Sequence, residues 1–232
     1  MANYVVDPTD PTHPLNSQFA RQGAEEFRAL KGLIQTILGT IINWNPLDKS
    51  ASIALSGGNL IAVKNNVDLL YHAVRANVSL ASGKIYWEIT INSAAVPKPI
   101  FGIGTINAGL ETYVGGDTFG FGYGGDLGNR FNNGAGVAFG VAPAQGDVIG
   151  FALDLTVPQL QIFKNNVSQG IIAITAGKAW LPMASMQVNG EQNTVNFGAQ
   201  PFAFSPPAGF TSPNTVAATV PVTFVKQFFP TF

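Results

Sequence analysis

The chain has 232 residues, of which 46% are hydrophobic and only 11% are charged, with a formal net charge of -1 and no cysteine. The absence of cysteine excludes disulfide bonds, thiolate catalysis and cysteine-based zinc sites. The near-zero net charge gives no electrostatic footprint for nucleic acid or anionic lipid, so neither is an expected partner. Ordinary soluble domains carry about 25% charged residues, so this surface must be mostly uncharged and polar.

The start of the chain predicts neither a secretory signal nor a membrane anchor. It has no basic start followed by an apolar run. The most apolar early stretch, Leu33–Ile42, is too short to span a bilayer and contains Gln35 and Gly39. We therefore expect synthesis in a cytoplasm without a signal peptide, and no membrane insertion.

The N-terminal region predicts an extended arm followed by a helix. Pro8, Pro11 and Pro14 favour extended backbone over residues 1–15. A helix is predicted over residues 16–42, because apolar or small residues recur there at alternating spacings of three and four. These residues are Ala20, Gly23, Phe27, Leu30, Ile34, Ile37 and Ile41.

This spacing is that of a coiled-coil heptad, and isoleucine at both core positions favours trimers or tetramers over dimers. We therefore expect a helical oligomerisation stalk, and a homotrimer as its product. The interface residues would be Phe27, Leu30, Ile34, Ile37 and Ile41. A single amphipathic helix packed on its own domain is the alternative, because so few heptads are marginal on their own.

After Trp44 the pattern changes to short β-type segments separated by Gly, Asn and Pro, which indicates a sandwich or barrel. The predicted strands are 52–55, 59–63, 72–76, 84–91, 100–105, 118–123, 136–139, 147–154, 159–163, 169–175, 180–187 and 194–197. Two Asn-Asn pairs, in the runs Lys64–Val67 and Lys164–Val167, suit tight hairpin turns because asparagine tolerates positive φ.

Several of these segments resemble the SPRY domain, the module shared with the B30.2 family. The matching segments, in order, are Ser82–Ile89, Phe101–Gly104, Gly146–Asp154, Ile162–Val167, Trp180–Met183 and Val195–Gly198. Asn166 stands where the family usually has glycine. The resemblance covers roughly residues 44–198 and implies an all-β fold: a bent antiparallel β-sandwich of the SPRY or concanavalin-like type, here with an N-terminal coiled-coil stalk. It also implies recognition through loops at one end, without catalytic residues.

A second resemblance concerns the flanks of this domain. The proline-rich arm, the segment Ala24–Lys31 and the closing run Pro206–Phe210 are similar to what tailed-phage proteins place around such domains. This resemblance implies a virion protein. The predicted domains are an arm over 1–15, a stalk over 16–42, a sandwich over 43–210 and an apolar tail over 211–232.

The sequence offers no set of residues for catalysis. Glycosidases need two carboxyl groups about 5–9.5 Å apart in one cleft, and Glu88 stands alone on its strand. Asp147 and Asp154 fall in a segment that resembles the family, so structural roles are expected for all three. His13 and His72 have no nucleophile or second ligand nearby in the sequence. We therefore expect no catalytic residue, no metal and no cofactor.

The stretch 115–134, together with nearby Tyr113, by contrast predicts a binding loop. Gly-rich connections there combine aromatic rings with planar polar groups, which suits sugars or peptide backbones. The candidate residues are Tyr113, Asp117, Tyr123, Asp126, Asn129, Arg130, Asn132 and Asn133. A hydrated loop without a ligand is the plainer alternative. Calcium held by the two Asp and the Asn residues is another, although the spacing matches no EF-hand.

These features suggest a phage virion fibre or appendage protein, located on the tail or capsid surface. The sandwich loops would bind a host surface glycan or protein, and the arm would contact other virion proteins. A structural head-decoration or tail-adaptor protein is the alternative. An intracellular adaptor for short peptides and an enzyme acting on host glycans are further alternatives. The tail, with alternating Val220, Val222 and Phe224, would add a strand to its own sandwich or to a neighbour.

Overall fold

The computed structural model of the protein describes residues 23–29, 42–96 and 98–214. Residues 23–29 form a helix within the predicted stalk, and Phe27 on it is 70% exposed. The other four predicted interface residues, the arm and most of the tail lie outside the described residues. One short helix does not support a coiled-coil stalk. Among the described residues, no helix is long and apolar enough to cross a membrane.

The rest of the described chain is built from strands. They are β1 (Trp44–Lys49), β2 (Ile53–Ser56), β3 (Ile61–Lys64), β4 (His72–Ala76), β5 (Lys84–Ser93), β6 (Ile100–Gly104), β7 (Gly120–Gly124), β8 (Asn129–Asn132), β9 (Ala135–Ala138), β10 (Val148–Asp154), β11 (Gln159–Lys164), β12 (Val167–Ala173), β13 (Leu181–Met186) and β14 (Gln192–Asn196). The sequence predicted twelve of these within a few residues. It missed β1, which contains Pro46, and β8, whose polar composition looked like a loop.

The strands form two seven-stranded sheets, and the strand pairs within them are antiparallel. The first sheet has the order β1-β4-β13-β6-β7-β8-β9, and the second has the order β12-β11-β10-β5-β14-β3-β2. Nearly every connection between strands passes from one sheet to the other or forms a hairpin. The predicted all-β antiparallel sandwich is confirmed.

The hydrophobic core lies between the sheets, and β5 shows why. Ile85, Trp87, Ile89 and Ile91 alternate along this strand and all face the core, as expected of a strand with one face turned inward. The Trp87 ring stacks on Phe151 of β10, with ring centroids 5.2 Å apart. Because the core fixes the strand register, it also fixes which residues reach the outer faces.

The outer face of the first sheet is covered by residues 105–119, here called the covering loop. Glycines allow its backbone to lie directly on the sheet. A Cβ atom at Gly122 would stand 2.0 Å from the carbonyl oxygen of Val114. The Val114 amide donates to Ser185 Oγ of β13 at 3.1 Å, and that hydroxyl donates to Ile100 O of β6. The loop is therefore an integral third layer over this sheet.

The two Asn-Asn pairs have different outcomes. Asn165 and Asn166 have φ of 49° and 65° and join β11 to β12 in the predicted tight hairpin. The prediction is wrong for the other pair, because residues 65–71 lead from β3 in the second sheet to β4 in the first. The Lys64 side chain is fully buried there and donates to Asn66 O. This segment therefore wraps around an ammonium group instead of forming a hairpin.

Candidate functional site

The structure distributes the eight predicted binding residues over the covering loop, β7, β8 and the turns that flank β8. Tyr113 and Asp117 lie in the covering loop, Tyr123 in β7, Asp126 in the β7–β8 turn, Asn129, Arg130 and Asn132 in β8, and Asn133 in the β8–β9 turn. The covering loop meets the β8–β9 turn, because Asn133 N donates to Asp117 O and Gly134 N donates to Gly115 O. Tyr113, Asp117, Asn132 and Asn133 are thus brought into one region.

Both acidic residues among the predicted binding residues accept hydrogen bonds from backbone amides. Asp117 accepts the amides of Gly109 and Phe119, each at 2.8 Å, and so closes two turns of the covering loop. Asp126 accepts the Lys98 amide at 3.0 Å. Asn132 likewise donates its side-chain amide to Gly120 O at 2.8 Å. Within the described part of the chain, no group of three or more His, Asp and Glu residues could hold a metal ion.

Tyr123 belongs to the core and not to a surface. Its side chain is fully buried, packs edge-on against Phe139 and donates its hydroxyl to Val141 O. Burial, with a smaller contribution from Asp147, raises the pKa of Tyr123 to about 12. The ring therefore supports the β7–β8 region from below and offers no contact to a ligand.

Three rings on the outer face of the first sheet form the aromatic row: Tyr71, Tyr113 and Phe131. Tyr113 contacts both neighbours edge-on, with centroids 5.4 Å from each. All three rings are half-buried. The Tyr113 hydroxyl donates to Gly134 O at 2.9 Å, and the Tyr71 hydroxyl donates to Lys98 O at 3.0 Å. The row thus presents rigid, partly exposed apolar edges with fixed polar tips.

The sequence did not single out Tyr71, which lies in a segment distant from Tyr113, or Phe131, which lies inside the predicted stretch but has no polar group. Burial, followed by the charge of Glu191, raises the pKa of Tyr71, so its hydroxyl stays a neutral donor. Leu69 and Leu70 directly precede Tyr71 and are 70% and 64% exposed. Their loop is held by Gln187, whose side-chain amide donates to Leu69 O at 2.6 Å. They extend the aromatic row into a larger apolar surface.

A buried polar cluster lies beside this surface. His72, at the start of β4, is 5% exposed. Its Nε2 is 2.9 Å from Asp68 Oδ1, and its Nδ1 is 2.6 Å from Glu111 Oε2 in the covering loop. Lys64 Nζ also contacts Asp68 Oδ1, at 2.7 Å. Mainly because of Lys64, with a further contribution from His72, the pKa of Asp68 is lowered to about 2 although burial opposes it.

Arg75 anchors the beginning of the covering loop. Its guanidinium forms a two-pronged pair with Asp48 of β1, with both N–O distances 2.7 Å. The remaining nitrogen donates to the backbone carbonyls of Thr105 and Ala108. Charge-assisted, two-pronged pairs of this kind are geometrically specific. Arg75 therefore holds the first residues of the covering loop in one position.

A concave region, separate from the aromatic row, lies at the end of the sandwich where the covering loop begins and ends. It is a cleft of about 500 Å³ that contains Ile106, Phe119 and the buried Trp180. Ile106 is 63% exposed and Phe119 is 44% exposed. Its polar lining includes Asn107 and Lys178. This end of the molecule was not predicted as a binding region.

The three carboxylates tested for catalysis have structural partners. Glu88 is buried and accepts the Ala203 and Phe204 amides, at 2.7 and 3.0 Å. For Asp154, burial alone would raise the pKa, but hydrogen bonds from Thr156 and Lys84 outweigh it and lower the pKa. Asp147 pairs with Lys164 at 3.0 Å. Each carboxylate fixes a turn or a neighbouring segment.

Comparison with known proteins gives relatives in animals. The chain is 31% identical over 169 residues to Ran-binding protein 9 of Xenopus tropicalis, and 32% identical over 170 residues to Ran-binding protein 10 of Danio rerio. Each alignment covers 70% of this chain but only 31% and 28% of those proteins. The chain therefore spans about a third of the length of the relatives it matches.

These relatives overturn the predicted context. They are eukaryotic Ran-binding proteins, so the prediction of a phage virion fibre or appendage protein is wrong. The predicted location in a virion is therefore wrong as well. The alternative of a head-decoration or tail-adaptor protein has no support, and the predicted virion partners have none. The likeness of the flanks to phage proteins misled because short proline-rich and apolar segments carry little specific information.

The fold comparison agrees with the sequence motifs. A crystal structure of a human SPRY domain superposes with a TM-score of 0.57 at 20% identity, covering 65% of this chain and 98% of that domain. SPRY domains are in general non-catalytic modules that mediate protein–protein binding. The SPRY family matches residues 84–200, half of the chain, and this protein belongs to the SPRY domain family.

Proposed function

We propose that this protein is a non-catalytic interaction module that binds a segment of a partner protein at the aromatic row. The observation that carries the proposal is the row itself: Tyr71, Tyr113 and Phe131 in mutual contact, half-exposed and continuous with exposed Leu69 and Leu70. Aromatic rings with fixed polar tips are enriched at protein interfaces, because they bury much apolar area at little entropic cost.

The predicted binding residues contribute the surroundings of this surface. Asn133 is exposed in the β8–β9 turn and would form part of a polar rim beside the rings, whereas Arg130, which pairs with the inward-facing Tyr123, projects from the face of β8 opposite to Phe131. Asp117 and Asn132 would act indirectly by holding the covering loop. The surface is mostly uncharged, so we expect the bound segment to present apolar side chains and backbone, with few charges.

We also propose that the protein has no catalytic activity of its own. Glu88, Asp147 and Asp154 are each bonded to backbone or to a cation, and none lies on the aromatic row. Incubation with a panel of polysaccharides should release no new reducing ends. Release of such ends would revive the glycan-hydrolase alternative.

A peptide-display selection tests the binding surface. The purified protein would be panned against a random peptide library, and the recovered peptides titrated against variants by calorimetry. We expect Y113A to weaken binding at least tenfold, because a central interface aromatic contributes about 2 kcal/mol or more. F119A is the matched control, because Phe119 is an exposed aromatic that lines the cleft near Trp180 and is not part of the aromatic row.

Two results would contradict the proposal. Recovery of no binding peptide would argue against peptide recognition. Loss of binding in F119A with retention in Y113A would move the site to the cleft near Trp180. Because the relatives are named for binding Ran, purified Ran is the first whole protein to titrate against the same variants. Ran binding that Y113A weakens would extend the proposal to a named partner.

Oligomerisation through the N-terminal heptad stays a separate proposal. Of its five predicted interface residues, Phe27 alone is among the residues that the structure describes, and its exposed ring is compatible with an interface. Native mass spectrometry of the full chain should give an oligomer that I37N converts to a monomer, since asparagine at a core position lowers coiled-coil stability. A monomeric wild-type chain would end this proposal.

A further inference from the structure

His72 stands between two carboxylates that belong to different segments. Asp68 lies in the connection from β3 to β4, and Glu111 lies in the covering loop, 39 residues from His72 in sequence. Ser50, in the turn after β1, lies 2.9 Å from His72 Nδ1 and 3.1 Å from Glu111 Oε2 through its Oγ. One imidazole therefore joins three segments of the chain.

When both carboxylates are ionised, the contacts of this arrangement are satisfied by an imidazole that carries two ring protons. An ionised carboxylate only accepts hydrogen bonds, and a neutral imidazole has just one N–H to donate. Asp68 stays ionised through the acid range, because Lys64 and His72 lower its pKa to about 2. With carboxylate oxygens 2.6 and 2.9 Å from the two ring nitrogens, the geometry is that of an imidazolium.

Loss of one proton would change the partners in a definite order. Asp68 is held independently by Lys64 and by the Leu70 amide, so the remaining N–H stays on Nε2. The bare Nδ1 then accepts the Ser50 hydroxyl, which has a single hydrogen to donate and already accepts the Ser52 amide. Glu111 loses both donors at once. Its side chain is 66% exposed, so water can solvate it.

We propose that His72 is a proton-operated latch on the covering loop: the charged imidazole holds Glu111, and the neutral imidazole releases it. Histidine is the side chain that ordinarily changes charge between about pH 5 and 8. The release is local, because the loop keeps the Ala73 N–Leu110 O bond at 2.8 Å on one side and the Val114 N–Ser185 Oγ bond on the other. Residues 111–113 move, and they include Tyr113 of the aromatic row.

The charged groups around His72 allow this behaviour. Asp68 and Glu111 face its two nitrogens directly, and Lys64 faces it through Asp68. Lys49, the nearest cation on β1, donates to the backbone carbonyls of Ser50 and Ile53 and not to either carboxylate. Within the described residues, Glu111 therefore depends on His72 and Ser50 for its polar contacts.

Nuclear magnetic resonance tests the latch without any ligand. The chain has two histidines, so H13Q leaves His72 as the single imidazole in long-range proton–nitrogen spectra. We expect both ring nitrogens protonated at low pH and only Nε2 protonated at high pH. Over the same pH range, the hydrogen-exchange protection factor of the Gly116 amide, which donates to Tyr113 O at 2.8 Å, should fall about tenfold, as for one weakened hydrogen bond.

The variant E111Q is the matched control, and its exposed position makes misfolding no obstacle. In this variant the charge of His72 should still change with pH, whereas protection of the Gly116 amide should be constant. The latch is refuted by a neutral His72 throughout the titration, or by wild-type protection factors that do not follow the His72 charge.

The effect of the latch on partner binding rests on the proposed function, but the latch itself does not. Peptides recovered on the aromatic row should bind the wild type with an affinity that follows the His72 titration and bind E111Q without that dependence. A working latch with no peptide binding would refute the proposed function alone. Peptide binding that Y113A abolishes, with constant loop protection, would refute the latch alone.

Discussion

Replacement of Gly122 by alanine should detach the covering loop from the first sheet. The new Cβ would lie 2.0 Å from Val114 O and 2.8 Å from Ile100 Cγ2, whereas ordinary contact begins at 3.4 Å. The loop carbonyl must therefore retreat by about 1.4 Å, the difference between 2.0 and 3.4 Å, because overpacked interiors relieve contacts by shifting backbone. Both neighbours are on rigid elements, so the strain cannot be relieved by a side-chain rotation.

The cost follows from what Val114 loses. A retreat of that size breaks its 3.1 Å hydrogen bond to Ser185 Oγ, and an unpaired buried amide costs about 1–3 kcal/mol. The Val114 side chain, now 1% exposed, would surrender part of the roughly 1.5–3 kcal/mol that full burial contributes. The free energy of unfolding should fall by about 2–5 kcal/mol, which corresponds to a drop in Tm on the order of 10 °C.

Urea denaturation monitored by circular dichroism measures this change, and G120A is the control. Gly120 is two residues away on the same strand, but its nearest backbone atoms would be 3.1 and 3.2 Å from a Cβ, so a small adjustment suffices. We expect G122A to be destabilised far more than G120A. Equal effects of the two variants, or a loss below about 1 kcal/mol for G122A, would refute the close packing of the loop on the sheet.

Two further predictions concern the hairpins and the carboxylates. N166G should raise the free energy of unfolding by about 0.5 kcal/mol, because Asn166 has φ of 65° and glycine adopts that conformation without strain. N66G is the control and should give no gain in the same urea experiment. A gain in N66G would show that the two Asn-Asn pairs behave alike. Acid should destabilise the protein below about pH 4, the ordinary range of aspartate, because the folded state lowers the pKa values of Asp68, Asp147 and Asp154. Their contribution is complete above that range and is lost as the pH falls through the lowered values. D154N should flatten the fall in urea midpoint between pH 4 and 2, and an unchanged slope would contradict the role of Asp154.

Much of the fold could be predicted from local patterns. Alternation of apolar residues located strands such as β5, and the SPRY-like segments identified the sandwich, because both signals depend on residues close together in sequence. The two missed strands show the limit: β1 contains Pro46, and β8 pairs through its backbone although three of its four side chains are polar. Strand pairing is decided by neighbouring strands, and these lie far away along the chain.

The candidate site was only partly predictable. The stretch around Tyr113 was found from its composition, but Tyr71 and Phe131 join it only through long-range packing. Tyr123 was selected for the same aromatic character, and its burial became visible only when the fold placed the inner face of β7 against the core, with Phe139 and Val141 beside the ring. Exposure depends on the whole fold, so residue type alone cannot separate a binding tyrosine from a core tyrosine.

By itself, the sequence determined the class of the fold, the positions of most strands and the family, since these follow from short-range periodicity and ordered motifs. Only the tertiary structure decided which local structure each of two identical sequence motifs adopts. Lys64–Val67 and Lys164–Val167 share the same four residue types, yet one surrounds a buried ammonium group and the other forms a hairpin. His72 likewise looked ordinary until folding placed Asp68 and Glu111 at its two nitrogens. The physical reason is that burial and charge pairing act across space, between segments that the linear pattern does not connect.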